Sequence, residues 1–160
     1  MSTVLARYRN ISGYEYFNTA LRIRTEITAL VTSAAMPKSY RFILAVPMAQ
    51  AAREIVGDIV TADAFYPNTE HNFTYRRHYL TLAVAACELL LQDLQCLADL
   101  GVVKVSRCER LADDLENEIK LIRGARKRCE AAWRTVEWKG VASCIACQLV
   151  APFGGWWFRV

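Results

Sequence analysis

Apolar residues recur at three- and four-residue steps through most of this 160-residue chain, a spacing typical of one face of an α-helix. The first such segment follows Ser12, a good N-cap, and ends near Met36. The second opens at Pro37, where the missing N–H costs nothing, and Pro47 predicts either a kink or two shorter helices end to end. The predicted buried positions of these helices are Tyr16, Ala20, Ile23, Ile27, Leu30, Ala34, Tyr40, Ile43, Ile55, Val56 and Ile59.

The second half of the chain contains two further periodic segments. Turn-forming residues predict a loop over residues 65–74, and a third helix then covers about residues 75–100, closed by Gly101. Ser106 opens a capping box, so a fourth helix is predicted over residues 106–139. The predicted buried positions here are Tyr79, Leu82, Ala86, Leu90, Leu94, Leu97, Leu111, Leu115, Ile119, Ile122, Cys129, Trp133 and Val136.

Four amphipathic helices joined mostly by short loops predict an all-α fold, an antiparallel up-down four-helix bundle. The chain divides into a leader at residues 1–12, the bundle at 13–139 and an apolar tail at 140–160. Proline and glycine interrupt the apolar run of the tail, so we expect it to pack on the bundle or on a neighbouring subunit and not to span a membrane.

The net charge of +4 conceals an uneven distribution along the sequence. Residues 1–39 carry +3, residues 40–119 carry −5 and residues 120–139 carry +5. Arginine outnumbers lysine 15 to 5, which favours recognition of phosphate or carboxylate groups.

The positive charge of the fourth helix is concentrated on one side of its apolar stripe, within about 60° of arc. This basic ridge consists of Lys120, Arg123, Lys127 and Arg134. Arg22 and Arg24 of the first helix extend it if those two helices are neighbours, as up-down topology implies. The ridge predicts a surface that binds nucleic acid or a protein partner. The alternative interpretation is an ordinary solvated helix face.

Some charged residues fall on or beside the predicted apolar stripes. Asp93 lies inside the stripe of the third helix, and Arg76 and Arg126 lie at the edges of theirs. Because a buried unpaired charge is costly, we expect Asp93 to pair with Arg76 or Arg126 across a helix–helix or subunit contact. The acidic run over residues 113–118 is interpreted as a solubilising surface.

The six cysteines are expected to be reduced thiols in a cytoplasmic protein, because the first dozen residues hold no apolar run typical of a secretory signal. Cys144 and Cys147 have the spacing of half a zinc site, but the other half is missing. We therefore predict no metal and no cofactor. The sequence also lacks a glycine-rich phosphate loop, an HExxH motif and a Glu-x-x-His pair, so no enzymatic activity is predicted.

Several short motifs, in order along the chain, resemble one family. Residues 36–42 (Met-Pro-Lys-Ser-Tyr-Arg-Phe), 52–55 and 58–59 are similar to the opening and continuation of a helix in a family of small four-helix bundles. That family contains the 23S rRNA intervening-sequence proteins and the accessory variability determinant proteins of diversity-generating retroelements. Residues 76–83 and 87–90 resemble the start of the family's third helix, and residues 115–123 are similar to its last. The resemblance covers about residues 13–138.

The Arg-Arg-x-Tyr-Leu element at residues 76–80 and the arginine-rich fourth helix favour the retroelement branch. This resemblance implies a homopentamer of four-helix bundles that binds the reverse transcriptase and the template RNA through a basic surface. Such a protein supports mutagenic complementary-DNA synthesis, and so mutagenic retrohoming, without catalysing it. The alternative is a structural bundle of the intervening-sequence type that assembles through protein contacts without binding nucleic acid.

Overall fold

The computed structural model describes the backbone of residues 14–149 and the side chains of residues 14–135. Over this range the chain is all-helical, without strands, and four α-helices pack against one another. They are α1 (Glu15–Val31), α2 (Val46–Ala64), α3 (Glu70–Asp99) and α4 (Val105–Leu149). Each helix contacts the next in sequence and α1 also contacts α4, so the four helices enclose one core.

Helix α1 is shorter than its periodicity predicts. It begins after Tyr14, which occupies the N-cap position without a side-chain hydrogen bond, and the predicted cap Ser12 lies outside the described residues. The helix ends at Val31, and Ala34, predicted to be buried, is exposed in the turn that follows.

The segment between α1 and α2 is irregular just before Pro47, where either a kink or two shorter helices end to end was predicted. A 3₁₀ turn at Lys38–Tyr40 leads into a π-helical turn at Arg41–Ala45, and Pro47 then lies in the first turn of α2. A proline ring clashes with the carbonyl one turn earlier, and the wider π turn accommodates it. The π turn also rotates Ile43 outward, and its predicted burial is wrong because the side chain is 72% exposed.

The predicted loop at residues 65–74 is wrong in length, since only residues 65–69 connect α2 to α3. Thr69 is the N-cap of α3, and its Oγ1 accepts a hydrogen bond from the Asn72 backbone N–H, with an N···O distance of 3.2 Å. The polar residues interpreted as a loop are therefore partly a helix cap and the first turn of a helix.

Gly101 ends α3 as predicted. It has a φ of 64°, in the left-handed region, and its N–H donates to the Ala98 carbonyl at 3.0 Å, while the Val102 N–H donates to the Leu97 carbonyl at 3.2 Å. These two bonds form a Schellman motif. Helix α4 then begins at Val105, so Ser106 lies inside its first turn and the predicted capping box is not formed.

The core contains the apolar stripes of all four helices. Leu82, predicted to be buried, is 40% exposed. Cys87, Cys108 and Cys129 are buried and Cys96 is partly buried, all four as free thiols. The largest fully buried side chains are Ile23, Ile27, Leu30, Met48, Ile55, Ile59, Leu80, Leu90, Leu94, Leu97, Leu115 and Ile122.

Helix α4 is 45 residues long and does not end near residue 139 as predicted. Phe73 of α3 stacks on Trp133 of α4 with ring centroids 5.2 Å apart. Since α3 begins only one turn before Phe73 whereas α4 continues to Leu149, α4 extends about 20 Å beyond the start of α3. The predicted boundary between bundle and tail therefore falls within a continuous helix.

Candidate nucleic-acid and partner-binding surface

Three members of the basic ridge form a line along the outside of α4. Lys120, Lys127 and Arg134 are exposed and recur every seven residues, which is close to two helical turns. The line is about 21 Å long at a rise of 1.5 Å per residue. Within residues 14–135, Lys127 and Arg134 have no intrachain ion pair.

Intrachain carboxylates neutralise the other two members of the ridge in part. Arg123 points toward α3, where its Nη2 donates to Glu88 Oε1 at 2.9 Å. Lys120 Nζ lies 3.9 Å from Glu116 Oε2, one turn earlier, and both side chains are largely exposed. Exposed pairs of this kind are weak, so a stronger anion can displace them.

The structure brings Arg22 to α4 and keeps Arg24 away from it. Arg22 Nη2 donates to Asp114 Oδ1 at 2.7 Å, so this arginine is beside the first half of α4. Arg24 faces the opposite neighbour, where it lines an open groove of about 910 Å³ with Val46 and Arg53 of α2. The six predicted binding residues therefore do not form one continuous surface.

A row of contacts joins α3 to the later part of α4. Arg77 Nε lies 3.3 Å from Glu130 Oε1, and Arg126 Nη1 donates to Thr81 Oγ1 at 3.4 Å. These contacts lie beside the buried face of α4, which is formed here by Ile122, Ala125 and Cys129. Burial of that apolar face leaves Lys127 in solvent.

Within one chain, Asp93 forms no ion pair with Arg76 or Arg126. Arg76 Nη2 instead lies 3.3 Å from Asp63 Oδ1, and Arg76 Nη1 donates to the Phe65 carbonyl at 3.2 Å. The reason is distance, because Arg76 and Asp93 are about 25 Å apart along the same helix. Burial raises the pKa of the Asp93 carboxyl. The predicted pairing of Asp93 with Arg76 or Arg126 could therefore form only between two subunits.

Glu118 is the charged residue that the sequence interpretation placed incorrectly. The acidic run predicts a solubilising surface here, but the Glu118 side chain is 0% exposed, and neither of its carboxylate oxygens has a hydrogen-bond partner among residues 14–135. The signal was in the spacing, since Glu118 lies seven residues after Leu111 and four before Ile122, both on the buried face of α4.

Burial dominates the electrostatics around Glu118. It raises the pKa of the carboxyl to about 8, while Arg22 lowers that pKa and Glu15 raises it. Burial likewise raises the pKa of the Cys87 thiol to about 12, and the nearby Glu118 adds to the increase. Well below pH 8 the Glu118 carboxyl is therefore mostly neutral in the folded protein, which is the less costly form of a buried acid.

The described residues include no group of three or more His, Cys, Asp or Glu side chains arranged to hold a metal ion. The side chains of Cys144 and Cys147 lie outside the described range. Helix α3 is long and apolar enough to cross a membrane by length and composition, but 44% of its most apolar window is buried inside the bundle. The core helix of a soluble protein meets the same criterion, so this feature is weak evidence for a membrane span.

No protein-family model matches this chain, and no curated protein is significantly similar to it. The residues and the geometry of the bundle are therefore the basis for assigning a function.

Proposed function

We propose that this protein is a non-catalytic accessory subunit of a diversity-generating retroelement. In this role it binds the element's reverse transcriptase and template RNA and supports mutagenic complementary-DNA synthesis in the cytoplasm. The observation that carries the proposal is the exposed line of Lys120, Lys127 and Arg134 on α4. The resemblance of residues 13–138 to that family supplies the identity of the partners.

The geometry of the line suits a phosphate backbone. Its three cations are spaced about 10 Å apart along a straight helix, and the two later ones have no intrachain counterion within residues 14–135. Side chains arranged in this way attract successive phosphates without reading bases, so affinity depends on salt more than on sequence.

The proposed assembly is a homopentamer of antiparallel up-down bundles. Short connections at residues 65–69 and 100–104 support the antiparallel arrangement of consecutive helices. So does the order of contacts, because the α3 residues Arg77, Thr81 and Glu88 meet α4 residues of falling number. The pentamer itself comes from the resemblance, and native mass measurement tests it.

Charge reversal with a matched control tests the nucleic-acid part of the proposal. The test variant is K120E/K127E/R134E, and the control is K38E/R41E/R53E, which changes the net charge equally on exposed residues at or near the start of α2. The probe is a labelled single-stranded oligoribonucleotide of mixed sequence, titrated over a series of salt concentrations. We expect the test variant to bind at least about tenfold more weakly, with a shallower salt dependence, and the control to bind nearly as the wild type does.

Equal losses in both variants would mean that net charge alone drives binding. No loss in the test variant would refute the role of the ridge. Circular dichroism of each variant checks that the helical content is unchanged.

The second candidate is a structural bundle of the 23S rRNA intervening-sequence type, which assembles through protein contacts alone. Two observations favour it. Arg22 and Arg123 are already paired with carboxylates of the same chain, and Phe42 is an exposed apolar side chain. An oligomer that is insensitive to salt and retains no RNA would support this function against the first.

A further inference from the structure

An apolar patch lies at the start of α2. Phe42 is 86% exposed, Ile43 is 72% exposed and Val46, one turn later, is 53% exposed. We call these three residues the α2 patch. The π turn before Pro47 holds the first two outward, so the patch is a consequence of backbone structure and not of a single side-chain rotamer. Contiguous exposed apolar surface of this kind marks a contact site.

The chain itself contains a segment of matching chemistry. Residues 150–160, beyond the end of α4, include two phenylalanines and two adjacent tryptophans, and Arg159 is their one charged residue. Large aromatic side chains are the residues most enriched in the centres of protein contacts.

Within one chain, these aromatic residues cannot reach the α2 patch. Asp63 of α2 contacts Arg76 of α3, and the adjacent Arg77 contacts Glu130 of α4, so Asp63 and Glu130 lie at the same level of the bundle. From that level, Val46 lies about 25 Å away in one direction.

Leu149 lies about 28 Å away from the same level in the other direction, because α2 and α4 both run antiparallel to α3. The separation of Leu149 from the patch is therefore more than about 50 Å. A fully extended chain from Leu149 to Phe158 spans only about 32 Å.

We propose that residues 150–160 of one copy bind the α2 patch of a second copy of this chain. The contact is heterologous, because the patch and the aromatic segment are different surfaces, and each copy offers one of each. Repetition of such a contact closes a ring or extends a filament, according to the rotation between copies. The inference does not depend on nucleic-acid binding.

Complementation of two defective chains tests the contact. One chain lacks residues 150–160 and keeps the patch; the other carries Phe42→Ser and Ile43→Ser and keeps the aromatic segment. We expect each alone to self-associate at least about tenfold more weakly than the full chain in sedimentation velocity. The mixture should form one-to-one heterodimers, because it restores one contact and no more.

A photo-crosslinking amino acid at position 42 identifies the occupant directly. In a mixture of isotopically light and heavy full-length copies, crosslinks from position 42 should join a light to a heavy chain and map to residues 150–160. A matched surface control is Tyr66→Ser with Leu89→Ser, which removes two other exposed apolar side chains and should leave association unchanged.

Several results overturn the proposal. These are a monomeric full chain, a mixture that fails to form heterodimers, or crosslinks that map within one chain or to residues 1–12. The proposal is also overturned if deletion of residues 1–12 abolishes self-association while residues 150–160 are intact. RNA binding by the K120E/K127E/R134E variant is a separate readout, so failure of the nucleic-acid proposal leaves this result interpretable.

Discussion

The two halves of the described part of α4 share one periodicity and differ in charge. Residues 105–119 carry a net charge of −3 and residues 120–135 carry +5. In the second half the buried positions are apolar, namely Ile122, Ala125 and Cys129. In the first half one of the acidic residues, Glu118, is in the core.

The difference shows that a segmental charge count does not by itself describe a surface. The positive charges of the second half are on the outside of the helix or at its sides, where they can meet a partner. The first half is less acidic on its surface than its sequence suggests, because Glu118 is buried and burial raises the pKa of its carboxyl to about 8. Substitutions in the two halves should therefore have opposite effects.

The largest expected contrast is between two buried positions. Ile122→Ala should lower the free energy of unfolding by about 2–5 kcal/mol, because it leaves a cavity in the core. Glu118→Leu should raise it by about 1–3 kcal/mol at pH 7, because it removes a buried carboxyl that has no hydrogen-bond partner among residues 14–135. Urea denaturation measures both. The control is Glu116→Leu, an exposed carboxylate two residues away, with an expected change within about 0.5 kcal/mol. A Glu118→Leu protein less stable than the wild type would show that the buried Glu118 carboxyl does not destabilise the fold.

Stability should also fall as the pH rises. The Glu118 carboxyl has a pKa of about 8 in the folded state against 4.5 in the reference state, so between these values the folded protein holds a proton that the unfolded chain has lost. In that window the free energy of unfolding falls by at most about 1.4 kcal/mol per pH unit.

Glu118→Gln should remove most of this slope. The remaining slope reports other groups, including Asp58 and Asp93, whose pKa values burial also raises. An unchanged slope in the glutamine variant would show that Glu118 does not titrate in this range.

Substitution by alanine should change the stability in opposite directions at Gly101, just before α4, and at Gly124, inside it. Gly101→Ala, just before the acidic half, should cost about 1 kcal/mol, because φ is 64° there and a Cβ is strained at that angle. Gly124→Ala, inside the basic half, should stabilise by about 0.5–1 kcal/mol, since its new Cβ would meet only the end of the Arg128 side chain at 3.6 Å. Thermal denaturation followed by circular dichroism compares the two. Equal signs would refute the conformational explanation.

The smallest expected effects are those of the exposed ion pairs. Arg123→Met should change stability by less than about 1 kcal/mol, because its partner Glu88 is equally exposed. Arg22→Met should have a similarly small effect at pH 6, where it removes the pair with Asp114. It should also raise the pKa of Glu118 further and so extend the pH-dependent window upward. A downward shift of that window would contradict the proximity of Arg22 to Glu118.

The sequence predicted most of the core and the order of the helices. Residues such as Ile23, Ile59, Leu90 and Ile122 were found by periodicity alone, because a helix that packs on one side must repeat its apolar positions every three or four residues. The errors cluster at helix ends, where short polar residues suit a loop, a cap or a first turn equally well.

The candidate surface was predicted less completely than the fold. A helical wheel placed Lys120, Lys127 and Arg134 on one side of a single helix, and the structure does the same. The helical wheel could not indicate that Arg123 pairs with Glu88 or that Arg24 faces α2, because both depend on which helices are neighbours. The heptad position of Glu118, seven residues after Leu111, predicts burial. A carboxylate is normally found in water, however, and the residue type therefore favours the surface.

The sequence by itself determined an all-helical chain with four amphipathic segments, the Gly101 cap and a positively charged stretch in α4. Only the tertiary structure decided which charges are paired, which is buried and which apolar side chains are left exposed on the α2 patch. The physical reason is the range of the interactions. Helix periodicity and capping act over a few neighbouring residues, whereas ion pairing and burial depend on groups that folding alone brings together.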